Sequence, residues 1–430
     1  MLKKIFPGIF LGKETGLEGK TFVWTISSGI VYALQSLIFL AVITNLLGEA
    51  TAGVYSVGAM IAQQMMTVGK FSVRNYQVSD VREKYSFGDY LAFRTATCLL
   101  AVFIMLGWIF FGGYRGERAV IIVGFTVYKL AECFSDLFEG LYQQKGRFDI
   151  SGKSQFVKDF LMIIVFVAAV FITRDVAVSS VILAVVSVLL LAAVDLPLAA
   201  HFAKSGSRFK FKKIWELTLA CFALFVSSFI YVYINNAPKY AIAGLSMPDA
   251  ERDAFQGVFS SLFMPVFMVD LLASFTMRIW ITKMALFHDK GDRRGFKRIV
   301  LKQVAVIAAI TAASMLFMYL LGGYVLSLIY GIDLHGYEAE NVLLMLAGGM
   351  VSIYTLFENV IIIYRNQQLS IVISIVSVAA AAVVVPICTQ SGGILGACAG
   401  YLAVNTLRAA GYIGMAVYYM AKEKRSCASA

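Results

Sequence analysis

The sequence predicts an all-α integral membrane protein, with twelve transmembrane helices arranged as two six-helix bundles, residues 1–208 and 209–430. Three observations carry that reading. Of 430 residues, 60% are hydrophobic and only 15% are charged, against roughly 25% charged in a soluble domain; the mean hydropathy is +0.78. Apolar stretches long enough to cross a ~30 Å hydrocarbon core, about 20 residues each, recur twelve times. The basic residues, finally, collect on alternate connections between those stretches.

The predicted spans run 21–47, 51–69, 90–112, 119–143, 156–173, 176–203, 214–236, 254–276, 303–329, 341–364, 368–388 and 391–420. The first shows no small-x-small cleavage site and reads as a retained span. The third carries Arg94 near its start, and the seventh ends YVYINNAPKY with Lys239. Long basic side chains at span ends reach the interface by snorkelling, which is the reading for both. Asp195 closes the sixth span, Asp270 lies in the eighth, Glu358 in the tenth, and Asn405 and Arg408 in the twelfth. GGILGACAG at 392–400 sets Gly392, Gly396 and Gly400 four residues apart, the pattern of close helix packing.

A net charge of +11 would suit a nucleic-acid partner, but its distribution argues against one. With the N-terminus inside, the inner side receives Lys3, Lys4, Lys13 and Lys20, then Arg74, Arg82 and Lys84, then Lys145, Arg147 and Lys153. Arg208, Lys210, Lys212, Lys213 and the run from Arg278 to Arg298 follow, while outer loops are short or acidic, as in GIDLHGYEAEN at 331–341. That asymmetry places both termini in the cytoplasm. The six cysteines are scattered without a CxxC pair, and the three histidines form no ligand pair, so neither a disulfide framework nor a metal site is expected. No cofactor is expected either.

FSVRNYQVSDVREKYSFGDYLAFR at 71–94 matches FTMRIWITKMALFHDKGDRRGFKR at 275–298 as a weak internal repeat. It sets Arg74 opposite Arg278, Tyr76 opposite Trp280, and Gly88-Asp89 opposite Gly291-Asp292. Halves with an even number of spans share one orientation. The longest outer loop, 237–253, leaves no room for the outer domain of a glycosyl-transferring enzyme.

The fourth span holds the most informative positions. A charge at mid-membrane costs about 2.5 to 3.5 kcal/mol on insertion scales, yet YKLAECFSDLFEGLYQQKGR carries Lys129, Glu132, Asp136 and Glu139. At 100° per residue these four, with Gln143, fall within an arc of roughly 80°. Leu130, Ala131, Phe134, Leu137 and Leu141 take the opposite face. A polar stripe of that length is better explained by a water-filled cavity than by a dry ionic network.

YINNAPKYAI at 233–242, LYQQKGRFDISGKSQFVKD at 141–159 and IYGIDL at 329–334 resemble bacterial polysaccharide flippases of the MATE-like multidrug, oligosaccharidyl-lipid and polysaccharide exporter superfamily. The resemblance covers essentially the whole chain. The related lipid II flippases commonly have fourteen spans, which separates them from the twelve counted here. The resemblance implies a V-shaped alternating-access transporter, and no enzyme, that flips polyprenyl-pyrophosphate-linked oligosaccharide across the cytoplasmic membrane for surface polysaccharide biosynthesis. Further implied partners are the lipid bilayer and polysaccharide polymerase or assembly proteins, with the chain a monomer. Pyrophosphate calls for cationic contacts; the candidates are Arg74, Lys129, Arg278 and Arg408. Glu132, Asp136, Glu139, Asp270, Glu358 and Asn405 are the candidates for sugar hydroxyls or for a coupling Na⁺ or H⁺. The rivals are a MATE-type drug or cation antiporter, a membrane glycosyl-transferring enzyme, and a structural partner in an assembly complex.

Overall fold

A computed structural model describes residues 17–80, 83–203, 211–364 and 368–426. The predicted bundle boundary at 208/209, the basic residues Lys3, Lys4, Lys13, Arg82, Arg208 and Lys210, and the side chain of Arg278 lie outside what is described. Among the described residues the chain is helical, without strands. In order come α1 (Leu17–Leu47), α2 (Glu49–Lys70), the short α3 (Val73–Ser79), α4 (Phe87–Phe111), α5 (Glu117–Gln144), α6 (Phe148–Thr173) and α7 (Val176–Ala199). Then follow α8 (Phe211–Ala243), α9 (Asp249–Asp289), α10 (Arg293–Tyr330), α11 (Glu338–Ile363), α12 (368–392) and α13 (394–426). Apart from α3, each long helix coincides with one predicted span, often extended by several residues. Nine helices among the described residues are long and apolar enough to cross a membrane, with 370–421 counted as one. The polar α2 and α5 fall outside that set.

The chain divides into two compact units, 1–232 and 233–430. In the first, α5 is the central helix: it packs against α2, α3, α4, α6 and α7. A helix walled by protein on so many sides has little lipid-facing surface, which is why its sequence can be polar. Small residues permit the close approach. A Cβ on Gly124 of α5 would stand 2.4 Å from the Ser180 hydroxyl of α7. Around it, Phe39, Tyr55, Phe125 and Phe166 interlock, with Phe39 and Phe166 centroids 4.0 Å apart. Outward faces carry exposed apolar side chains such as Phe103, Phe110 and Ile172, as a surface solvated by lipid tails should.

Two local breaks shape this unit. Phe71 and Ser72 take consecutive left-handed conformations, φ 44° and 52°, which end α2 and start α3. Phe71 is held there by stacking on Phe225 at 4.1 Å. In α7, residues Leu191–Asp195 form a π-helical turn before Pro197, a widening that re-aims side chains. Asp195 sits at its end.

In the second unit α11 packs against α9, α10 and the α12–α13 hairpin. Gly393, at φ 57° and ψ −131°, makes that hairpin's turn, in a region open to glycine. A Cβ on Gly396 would lie 1.9 Å from the Cys388 carbonyl oxygen, and one on Gly400 3.0 Å from the Val385 Cα. Gly392 has no such neighbour, so two of the three predicted packing glycines do that work. The repeated Gly-Asp pairs both start helices, by different means. Asp89 joins a capping box with Ser86, accepting from the Ser86 amide at 2.9 Å, whereas Asp292 is itself the N-cap of α10 and accepts from the Gly295 amide at 2.9 Å.

Candidate functional site

The α5 stripe meets one charged partner after another, each from a different helix. Lys129 donates to Glu132 at 2.7 Å within α5, and Lys70, the last residue of α2, reaches the same carboxylate at 3.3 Å. Arg74 of α3 spans the next two positions, binding Asp136 at 3.0 Å and Glu139 at 3.1 Å. It also donates to Gln143 and Ser151 at 3.4 and 3.3 Å. Arg94 of α4 binds Asp136 at 3.1 Å and the Gly69 carbonyl at 2.7 Å. Lys158 of α6 binds Glu139 at 3.2 Å and Asp195 of α7 at 3.0 Å, and Asp195 also accepts from Ser135 at 2.6 Å.

Part of this network, Lys70, Arg74, Glu132, Asp136, Glu139 and Lys158, lines a cavity of about 180 Å³ together with Tyr32, Tyr128, Gln155 and Asp159. The stripe therefore faces a polar cavity and is ion-paired at the same time. Five cations (Lys70, Arg74, Arg94, Lys129, Lys158) stand among five carboxylates (Glu132, Asp136, Glu139, Asp159, Asp195), a formally neutral set. Among the described residues Asp159 has no ion pair, and its Oδ2 is buried without a hydrogen-bond donor. The pairing offsets the insertion cost: each buried ion still bears a desolvation penalty, and attraction to a close partner with further hydrogen bonds compensates it.

Arg74 therefore sits inside the cavity with Asp136 and Glu139. Arg94 does not snorkel: its side chain is fully buried, because α4 places it one helix away from Asp136. Lys239 is likewise buried, over the ring of Phe263. Both are corrections to the reading of span-end cations. The remaining candidates lie in the second unit. Glu358 accepts from the Tyr412 hydroxyl at 3.2 Å, Tyr412 stacks on Tyr354, and the Arg408 guanidinium lies 4.0 Å from the Tyr354 ring centre. Asp270 accepts from Ser352 at 3.4 Å, and Asn405 donates to the Tyr401 carbonyl one turn back on its own helix. Neither joins the Glu358 group through a bond described here. Sequence reasoning passed over Lys70, Lys158 and Asp159, although Lys158 and Asp159 stand inside the predicted span 156–173. Among the described residues no group of three or more His, Cys, Asp or Glu side chains could hold a metal ion.

Known structures share this arrangement of helices. The chain superposes on the lipid II flippase MurJ in an inward closed conformation with TM-score 0.69 at 11% identity, over 92% of this chain and 87% of that one. It superposes on the Vibrio cholerae MATE transporter VcmN with TM-score 0.57 at 13% identity, over 96% and 98% of the two chains. It thus has the fold shared by MurJ and the MATE transporters of the MOP superfamily. By sequence it is 20% identical to the capsular polysaccharide biosynthesis protein CapF of Staphylococcus aureus over 334 residues, 76% of this chain and 80% of that protein. No protein-family profile matches the chain.

Proposed function

We propose that this chain flips a polyprenyl-pyrophosphate-linked oligosaccharide across the bacterial cytoplasmic membrane by alternating access, for surface polysaccharide biosynthesis. The observation that carries the reading is the ionic cavity of the N-terminal unit. A sugar head group cannot cross hydrocarbon without a hydrophilic chamber, whereas a polyprenyl tail can remain in lipid. The likeness to CapF and to MurJ supports a lipid-linked glycan as the cargo.

Arg74 is the centre of the mechanism. Its Nη1 already donates to two carboxylates, Asp136 and Glu139, and a diphosphate offers acceptor oxygens of the kind a guanidinium fork takes bidentately. Substrate entry exchanges one anion for another, leaving the displaced carboxylates to accept sugar hydroxyls or to take up the coupling Na⁺ or H⁺. Both termini lie in the cytoplasm, and the chain works as a monomer. A drug or cation antiporter has no use for the cations Lys70, Arg74 and Lys158 that line this cavity beside its carboxylates. The test is substrate choice in proteoliposomes: lipid-linked oligosaccharide should move and a fluorescent organic cation should not. Transport of the cation alone would make the chain an antiporter.

A further inference from the structure

We propose that Lys239 forms a second phosphate-binding site, inside the C-terminal unit, that receives the diphosphate of the lipid-linked substrate; the identity of that substrate rests on the flippase reading above. Each cation of the N-terminal ionic network has a carboxylate within 3.3 Å. Lys239 differs. It is 8% exposed, and among the described residues no carboxylate pairs with it. What it meets is the face of the Phe263 ring, at 5.7 Å. A buried ammonium that lacks an anionic partner is costly to retain, and an anion that visits during the work of the protein removes that cost.

The surroundings are built rather than accidental. The Asn235 side-chain oxygen, one turn before Lys239, accepts from the Tyr401 hydroxyl at 2.9 Å, and Tyr401 sets its edge on Phe263 at 5.2 Å. Three helices, α8, α9 and α13, thereby hold the lysine stem in a closed ring of contacts. Gln256 stands two turns from Phe263 on the same face of α9. It is 1% exposed, and neither of its amide atoms has a hydrogen-bond partner. The ammonium and, about 10 Å along α9 from Phe263, the uncommitted primary amide are both donors of the kind phosphate oxygens accept. Lysine serves there as a point charge.

The experiment titrates inorganic pyrophosphate into the purified full-length protein by calorimetry. Lys239→Met should weaken binding by at least about tenfold and Lys239→Arg by less than about threefold, the loss expected for removing one buried charge contact. Gln256→Leu should weaken it by a smaller factor. Unchanged binding in Lys239→Met, or no measurable binding by the wild type, overturns the proposal. Repeating the titration in nanodiscs with and without phosphatidylglycerol separates the sources of phosphate. Loss of the Lys239-dependent signal on adding that lipid assigns the site to a bilayer phospholipid and overturns the substrate assignment. Oligosaccharide transport by the wild type is scored separately. Transport without pyrophosphate binding removes this site and leaves the flippase, whereas Lys239-dependent binding without transport keeps the site and removes the flippase.

Discussion

Replacing Lys158 by Met removes the ammonium that holds Glu139 at 3.2 Å and both oxygens of Asp195 at 3.0 and 3.2 Å. The side chain is buried, and its loss leaves the fully buried Asp195 without a cation. Breaking one partner out of a buried pair costs about 3–5 kcal/mol. Glu139 keeps Arg74 at 3.1 Å, but Asp195 is left with the Ser135 hydroxyl. That retained cation puts the expected loss near the lower end, about 3 kcal/mol. The assay is reversible unfolding of the purified protein in detergent. A second substitution exposes the cause: Asp195→Asn in the Lys158→Met background should recover more than about 1 kcal/mol, since the orphaned charge is gone. Glu139→Gln in the same background should recover less. A loss under about 1 kcal/mol for Lys158→Met, with no recovery from Asp195→Asn, would refute the argument that these charges are mutually buried.

Arg74→Lys keeps the charge but cannot bridge Asp136 and Glu139 together with Gln143 and Ser151; oligosaccharide transport should fall by about tenfold or more at unchanged expression. Gly396→Ala drives a methyl into the Cys388 carbonyl and should cost more than about 2 kcal/mol by opening the α12–α13 hairpin, while Gly392→Ala stays within about 0.5 kcal/mol; thermal melting of the two variants side by side checks the contrast. Asp80, in the connection after α3, is pushed up by burial, but amides of Tyr85 and Lys84 and the Tyr90 hydroxyl outweigh that and hold its carboxyl below the usual range. Its stabilising contribution is therefore complete above the ordinary carboxylate pKa of about 3.9 and is lost as pH falls through the lower folded value. Asp80→Asn should lower the melting temperature at neutral pH and flatten its decline between pH 4 and pH 2.

The fold was legible because the bilayer imposes one length and one polarity on every span, and the long helices, all but α3, follow the apolar runs closely. The α5 stripe was legible for a similar reason: four charges on one helix face produce a periodic signal that survives without any partner in view. Lys70 and Lys158 escaped because each contributes one charge from a separate helix, and no spacing rule connects residues that meet only after packing. Arg94 and Lys239 were misread by position. A cation near a span end snorkels when its helix faces lipid, but α4 turns Arg94 toward Asp136 and α8 sets Lys239 on Phe263. The π-helical turn that ends on Asp195 has no signature in LAAVD beyond the proline that follows.

The central claim is that an ionic cavity carries a lipid-linked glycan between leaflets. It is tested most directly by reconstituting the full chain in proteoliposomes loaded with a fluorescent polyprenyl-pyrophosphate oligosaccharide and quenching the outer leaflet with a membrane-impermeant reductant. The account expects the quenchable fraction to rise from about half toward completion in the presence of the protein, and Arg74→Gln to hold it near half. A fraction that stays at half with the folded wild-type protein, under both a Na⁺ and an H⁺ gradient, would contradict it.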